Sequence, residues 1–113
     1  MMNKVLFGLI IALSSLVLSC KKDQHQTDLT TCSPTLTYTT DIKPLINLHC
    51  NNVSCHGANQ TPILTFYSAV KGSIDNGNFT KEVITNRSMP EGTKLSDEEY
   101  DLFNCWINAG APE

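Results

Sequence analysis

Residues 50–57 read Cys50-Asn51-Asn52-Val53-Ser54-Cys55-His56-Gly57. A cysteine pair with a histidine directly after the second cysteine is the arrangement through which a chain takes up haem c. Each thiol adds to a haem vinyl group, and the adjacent histidine is held under the iron as its proximal ligand. Gly57 allows the chain to turn just past that ligand. The usual pattern has two residues between the cysteines, whereas this one has four, Asn51 to Ser54. The longer gap predicts a looser loop between the two attachment points.

Haem iron takes a sixth ligand, and methionine in that position raises the reduction potential. Outside the first two residues the chain has one methionine, Met89, 33 residues after His56. A lone methionine is usually core filler, but beside the Cys50–His56 motif it is the candidate distal ligand. Pro90 follows it and disfavours helix at Met89, so the sulfur is expected on a loop, Ser88-Met89-Pro90-Glu91-Gly92. Residues 72–78, GSIDNGN, are expected to be a turn-rich connection.

Helices are read on both sides of the motif. Asp41 is expected as an N-cap with Pro44 in the first turn. Ile42, Leu45, Ile46 and His49 have helical spacing, which predicts a helix over 42–50 that delivers Cys50. Phe66, Tyr67, Ala69 and Val70 predict a short helix stopped by Gly72. Phe79, Val83 and Ile84 predict a weak turn or two. Ser96 and Glu99 form a capping box at the start of a last helix, with Tyr100, Phe103 and Ile107 on one face and Leu102 and Trp106 beside it. Gly110 and Pro112 end it. The expected fold class is all-α, three or four short helices with long loops, spanning residues 38–113. So small a domain buries little apolar area and commonly relies on a cofactor or staple.

The N-terminal part differs in kind. Lys4 precedes the apolar run 5–18, VLFGLIIALSSLVL, a signal-peptide pattern too short for a comfortable membrane span. Val17-Leu18-Ser19-Cys20 resembles a bacterial lipobox, in which the cysteine becomes the first mature residue and carries the lipid. The alternative is an ordinary secretory signal with a cysteine nearby. On the lipobox reading, residues 1–19 are removed and residues 20–37 form a polar tether. Cleavage removes one lysine and no acid, leaving seven basic and eleven acidic residues, a formal charge of −4. An acidic domain of this kind is a poor nucleic-acid binder. The expected location is the cell envelope, lipid-anchored and facing the periplasm or cell surface, where disulfides and haem attachment are chemically permitted.

Residues 38–113 resemble the small cytochrome c domains of Bacteroidetes-type envelope lipoproteins. The matching stretches are Asp41 to Ile46, Cys50 to Gly57, Met89 to Gly92, Leu95 to Glu99, and Cys105 to Pro112. The resemblance implies a cytochrome c fold with one covalent haem c. It implies Cys50 and Cys55 as thioether sites, with His56 and Met89 as proximal and distal iron ligands. It also implies a one-electron carrier whose partners are redox proteins of the envelope. With Cys20 lipidated and Cys50 and Cys55 on haem, Cys32 and Cys105 remain. In cytochrome c folds the first and last helices pack across each other, so the resemblance implies a Cys32–Cys105 disulfide. The competing picture is two free thiols, with Cys105 buried beside Trp106.

Two other readings use the same residues. Zinc accepts the donors of His49, Cys50, Cys55 and His56, but they come as adjacent pairs, and neighbouring side chains seldom converge on one tetrahedral site. A haem-free envelope lipoprotein, stapled by Cys50–Cys55 and Cys32–Cys105 bridges, would act as an interaction module. His25 falls in the tether and is expected to be solvated. No nucleophile or acid–base constellation of an enzyme is present, and no small-molecule substrate is evident.

Replacing the lipobox cysteine, Cys20→Ser, is expected to abolish lipid labelling and to release the protein from the membrane fraction. Unchanged labelling would show that another residue carries the lipid, or that the lipobox is misread.

Overall fold

The computed structural model describes residues 27–113. The expected signal segment, the lipobox cysteine Cys20 and His25 lie outside the described residues. Among the described residues every regular element is helical: a single 3-10 turn at Leu29–Thr31, a π turn Tyr38–Ile42 running into helix α1 (Lys43–His49), α2 (Tyr67–Asp75), a π-helical segment Thr80–Thr85, and α3 (Asp97–Asn108). The chain is therefore all-α with long loops. None of the described helices is long and apolar enough to cross a membrane.

The first helix begins earlier than its caps suggest. Thr37, not Asp41, is the N-cap, and its side chain accepts the Thr40 N–H at 3.3 Å. Asp41 lies within the first turn, where its carboxylate accepts the Thr37 N–H at 2.8 Å. A proline ring inside an α-helix crowds the carbonyl four residues back, and that carbonyl, of Thr40, lies in the wider π turn that ends two residues before Pro44. Tyr38, which opens this turn, is buried between Tyr67 and Trp106, with ring centroids at 5.3 and 6.1 Å. Packing thus carries the helix over Tyr38-Thr39-Thr40, residues of modest helix propensity. Ile42 and Ile46, one helical turn apart, are fully buried.

Helix α2 runs through Gly72 to Asp75 and ends at Asn76 and Gly77, the latter at φ +81. A break at Gly72 is not needed, because Val70 and Ser73 are buried on the same side and Ile74 packs against the core. Residues 72–75 are therefore helix rather than connection. The segment after Phe79 is helical, with Val83 buried.

Helix α3 follows the sequence closely at its start. The Ser96 hydroxyl accepts the Glu99 N–H at 3.2 Å, and the Glu99 carboxylate accepts the Ser96 N–H at 2.8 Å. That backbone donor, ahead of a weaker contribution from His49, holds the Glu99 carboxyl below the usual carboxylate range. The buried face is Tyr100, Phe103 and Trp106 with Cys105 beside them; Ile107 and Leu102 lie at its margin. Beyond the helix, Gly110 (φ +90) and Ala111 (φ +53) turn the chain back. The Pro112 carbonyl then accepts both the Trp106 indole N–H at 2.8 Å and the Tyr38 N–H at 2.9 Å. The Tyr67 hydroxyl donates to the Ala111 carbonyl at 2.9 Å.

The folded unit also takes in residues ahead of Tyr38. Leu36 joins the core. Cys32 is disulfide-bonded to Cys105, with Cα atoms 5.4 Å apart. The Thr27 hydroxyl donates to Asp101 at 2.6 Å and accepts from Asn104 at 2.8 Å. Residues of the expected tether from Thr27 onward are thus pinned to the outer side of α3.

The Cys32–Cys105 bridge closes a loop with a sequence separation of 73, worth about 4 kcal/mol in the chain-entropy model. The Cys32→Ser/Cys105→Ser double variant is expected to lose up to about that much unfolding free energy. Peptide mapping after alkylation of the denatured, unreduced chain should find Cys32 and Cys105 unlabelled. Label on both would refute the bridge.

Candidate functional site

Helix α1 ends on Cys50. Its N–H and that of Asn51 both donate to the Ile46 carbonyl, at 2.9 and 3.0 Å. Since Ile46 is fully buried, the first cysteine of the motif is fixed to the core by one helical turn. The four residues that follow do not form a slack loop. The Asn52 carbonyl accepts from Cys55 N–H at 3.0 Å and from Gly57 N–H at 3.1 Å, and the Asn52 side chain accepts the Ser54 N–H at 3.0 Å. The His56 N–H donates back to the Cys50 carbonyl at 3.0 Å. The extra residues therefore coil outward as a closed turn, with Asn52, Val53 and Ser54 exposed, while Cys50 and His56 stay side by side.

Gly57 is required by proximity rather than by a left-handed backbone. A Cβ there would lie 2.4 Å from the Asn51 carbonyl oxygen and 2.7 Å from that of Asn52. Any side chain at this position would force the turn open.

Cys50 and Cys55 are free thiols, both partly buried. Of the two bridges in the disulfide-scaffold reading, only Cys32–Cys105 is formed. Burial pushes the Cys50 thiol up to about 11, and the neighbouring charge of Cys55 adds to the shift.

The His56 ring is oriented by a backbone group. Its Nδ1 lies 2.7 Å from the Pro62 carbonyl oxygen. A carbonyl only accepts, so Nδ1 carries the hydrogen and the neutral ring's lone pair falls on Nε2. Metal-ligating histidines characteristically donate their second nitrogen in this way. The position of His56 is further set by the Leu64 N–H, which donates to the His56 carbonyl at 2.8 Å, Leu64 itself being core. The Pro62 acceptor is a main-chain atom, and nothing in the side-chain pattern marks it; the loop composition of residues 51–62 is the only sequence signal.

His49 is directed elsewhere. Its Nε2 donates to Glu99 Oε1 at 2.8 Å, joining the end of α1 to the first turn of α3. His49 and His56 thus serve different partners, and the described residues contain no group of three or more His, Cys, Asp or Glu placed to hold a metal ion.

Met89 stands on a different loop, after the Thr80–Thr85 segment, and is 36% exposed. Its N–H donates to the Glu82 carbonyl at 3.2 Å. Val53 within the motif, and Leu48 and Phe66 on either side of it in the chain, are also exposed. Within the motif, the side-chain oxygen of Asn51 is buried without a hydrogen-bond donor.

Cys50, Cys55 and His56 share one hydrogen-bonded turn and are donors of the kind that would hold haem c, whereas Met89 stands on a separate loop. No family model, curated protein or solved structure matches this chain.

Proposed function

We propose that the chain is a monohaem c-type cytochrome, a one-electron carrier anchored in the cell envelope through Cys20. The observation that carries this reading is the hydrogen bond from His56 Nδ1 to the Pro62 carbonyl. It selects the tautomer with the lone pair on Nε2, as a metal-ligating histidine would need, in a residue that directly follows the second cysteine. Bound haem would supply the iron(III)/iron(II) couple. The chain's own residues would hold it: Cys50 and Cys55 through thioethers, His56 and Met89 as ligands to the iron.

The second reading is a haem-free stapled lipoprotein acting as an interaction module: the Cys32–Cys105 bridge that it shares with the first is formed, whereas its Cys50–Cys55 bridge is not. A zinc-stabilised form of it is disfavoured by the commitment of His49 to Glu99.

Intact mass separates the readings. Expressed with haem-attachment machinery, the mature protein should gain the mass of one whole haem, and the gain should persist after denaturation. An unmodified mass and a colourless protein would sink the cytochrome reading in favour of the second.

Met89 is tested independently. Met89→Ala should remove the long-wavelength sulfur-to-iron band of the oxidised protein and lower its reduction potential. If both persist, another group occupies the sixth position.

A further inference from the structure

The two residues before Met89 are each tied to a different part of the fold. Arg87 has φ +50, a left-handed conformation that residues other than glycine seldom adopt and that carries strain. Its guanidinium carbon lies 4.1 Å above the centre of the Tyr100 ring. Tyr100 belongs to the first turns of α3 and is 2% exposed, so the ring is a fixed platform and the contact is a cation–π interaction. Ser88 is bound to the other side. Its N–H donates to the Glu82 carbonyl at 2.9 Å, and its hydroxyl lies 3.1 Å from the same carbonyl and 2.5 Å from the Glu82 carboxylate. That hydroxyl is the main reason the Glu82 carboxyl sits below its usual range. Met89 comes next and shares the Glu82 carbonyl.

A loop that merely joined the Thr80–Thr85 segment to α3 would be relaxed by glycine at position 87. Arginine is strained there, and it is held by a side-chain contact that leads straight into α3. Strain kept in place by a specific contact, two residues from the candidate distal ligand, is the pattern of a device that aims a side chain. A thioether is neutral and a weak ligand, so its bond to iron depends on how little ordering remains to be done when the bond forms.

We infer that Arg87, seated on Tyr100 and seconded by the Ser88–Glu82 tie, is a positioning residue that aims the Met89 sulfur at the haem iron. This rests on the cytochrome reading above.

The test uses the full-length, lipidated, haem-loaded protein and the Arg87→Gly, Arg87→Lys and Ser88→Ala variants. Arg87→Gly removes the cation while relieving the backbone, so loss of fold is not expected, and thermal midpoints are measured alongside. Three quantities are read: the sulfur-to-iron band, the reduction potential, and carbon monoxide uptake by the reduced protein, which reports an open sixth position. Arg87→Gly should weaken the band, lower the potential, and raise the fraction open to carbon monoxide by about three- to tenfold. Arg87→Lys, which keeps a cation over the ring, should recover much of the loss. Ser88→Ala should move the same quantities in the same direction. Band, potential and carbon monoxide uptake unchanged in Arg87→Gly would overturn the inference, as would Arg87→Lys behaving no better than Arg87→Gly. Absence of the haem mass from the wild-type protein would instead mark failure of the cytochrome reading, and the inference would fall with it. A Met89→Ala protein indistinguishable from wild type would overturn the inference alone, leaving the haem in place.

Discussion

Trp106 is fully buried, and an indole N–H shut away from water needs an acceptor. The chain supplies it by doubling back through Gly110 and Ala111 so that the Pro112 carbonyl reaches the ring at 2.8 Å. The same carbonyl receives the N–H of Tyr38, and the preceding carbonyl receives the Tyr67 hydroxyl. One short tail therefore satisfies donors from the first helical turn, from α2 and from α3. The aromatic contacts of Tyr38 with Tyr67 and Trp106 fill the space that these hydrogen bonds enclose. What holds this small fold in register is thus the need to bury one large ring without stranding its polar atom, and the position of α1, hence of Cys50, follows from it.

Parts of this were legible because they are written in side chains at fixed spacing. The Ser96–Glu99 capping box needs only two residue types three apart, and the structure forms both of its hydrogen bonds. The cysteine pair with its histidine is local in the same sense. Other parts were not legible, for physical reasons that differ. The helix starts at Tyr38 rather than after Asp41 because a buried aromatic contact outweighs local capping preference, and that contact is with residues 29 and 68 positions away. Helix α2 passes through Gly72 because buried Val70 and Ser73 outweigh the modest cost of a helical glycine. The acceptor for His56 is a main-chain oxygen, and every residue has one, so composition cannot single it out.

The four-residue gap between the cysteines shows how the two levels meet. Read as a count, it implies slack. In the structure the slack is taken up by the Asn52 carbonyl, which gathers the Cys55 and Gly57 N–H groups, and by the His56 N–H returning to Cys50. Gly57 makes this closure possible because its α-carbon sits where a side chain would strike two carbonyls. The asparagines at 51 and 52 and the glycine at 57 therefore belong to one device, and the gap length alone is a poor guide to how tightly the cysteines and histidine are held.

The bridge between Cys32 and Cys105 has a mechanical consequence. A pull on the chain ahead of Cys32 reaches α3 through two sulfur atoms and bypasses the seventy or so residues in between. The Tyr38 turn, α1 and the Cys50–His56 coil sit inside the closed circuit and carry none of that tension. The covalent path thus runs around the Cys50–His56 coil, like a strain relief on a cable, and shear applied ahead of Cys32 is delivered to α3, the longest of the described helices.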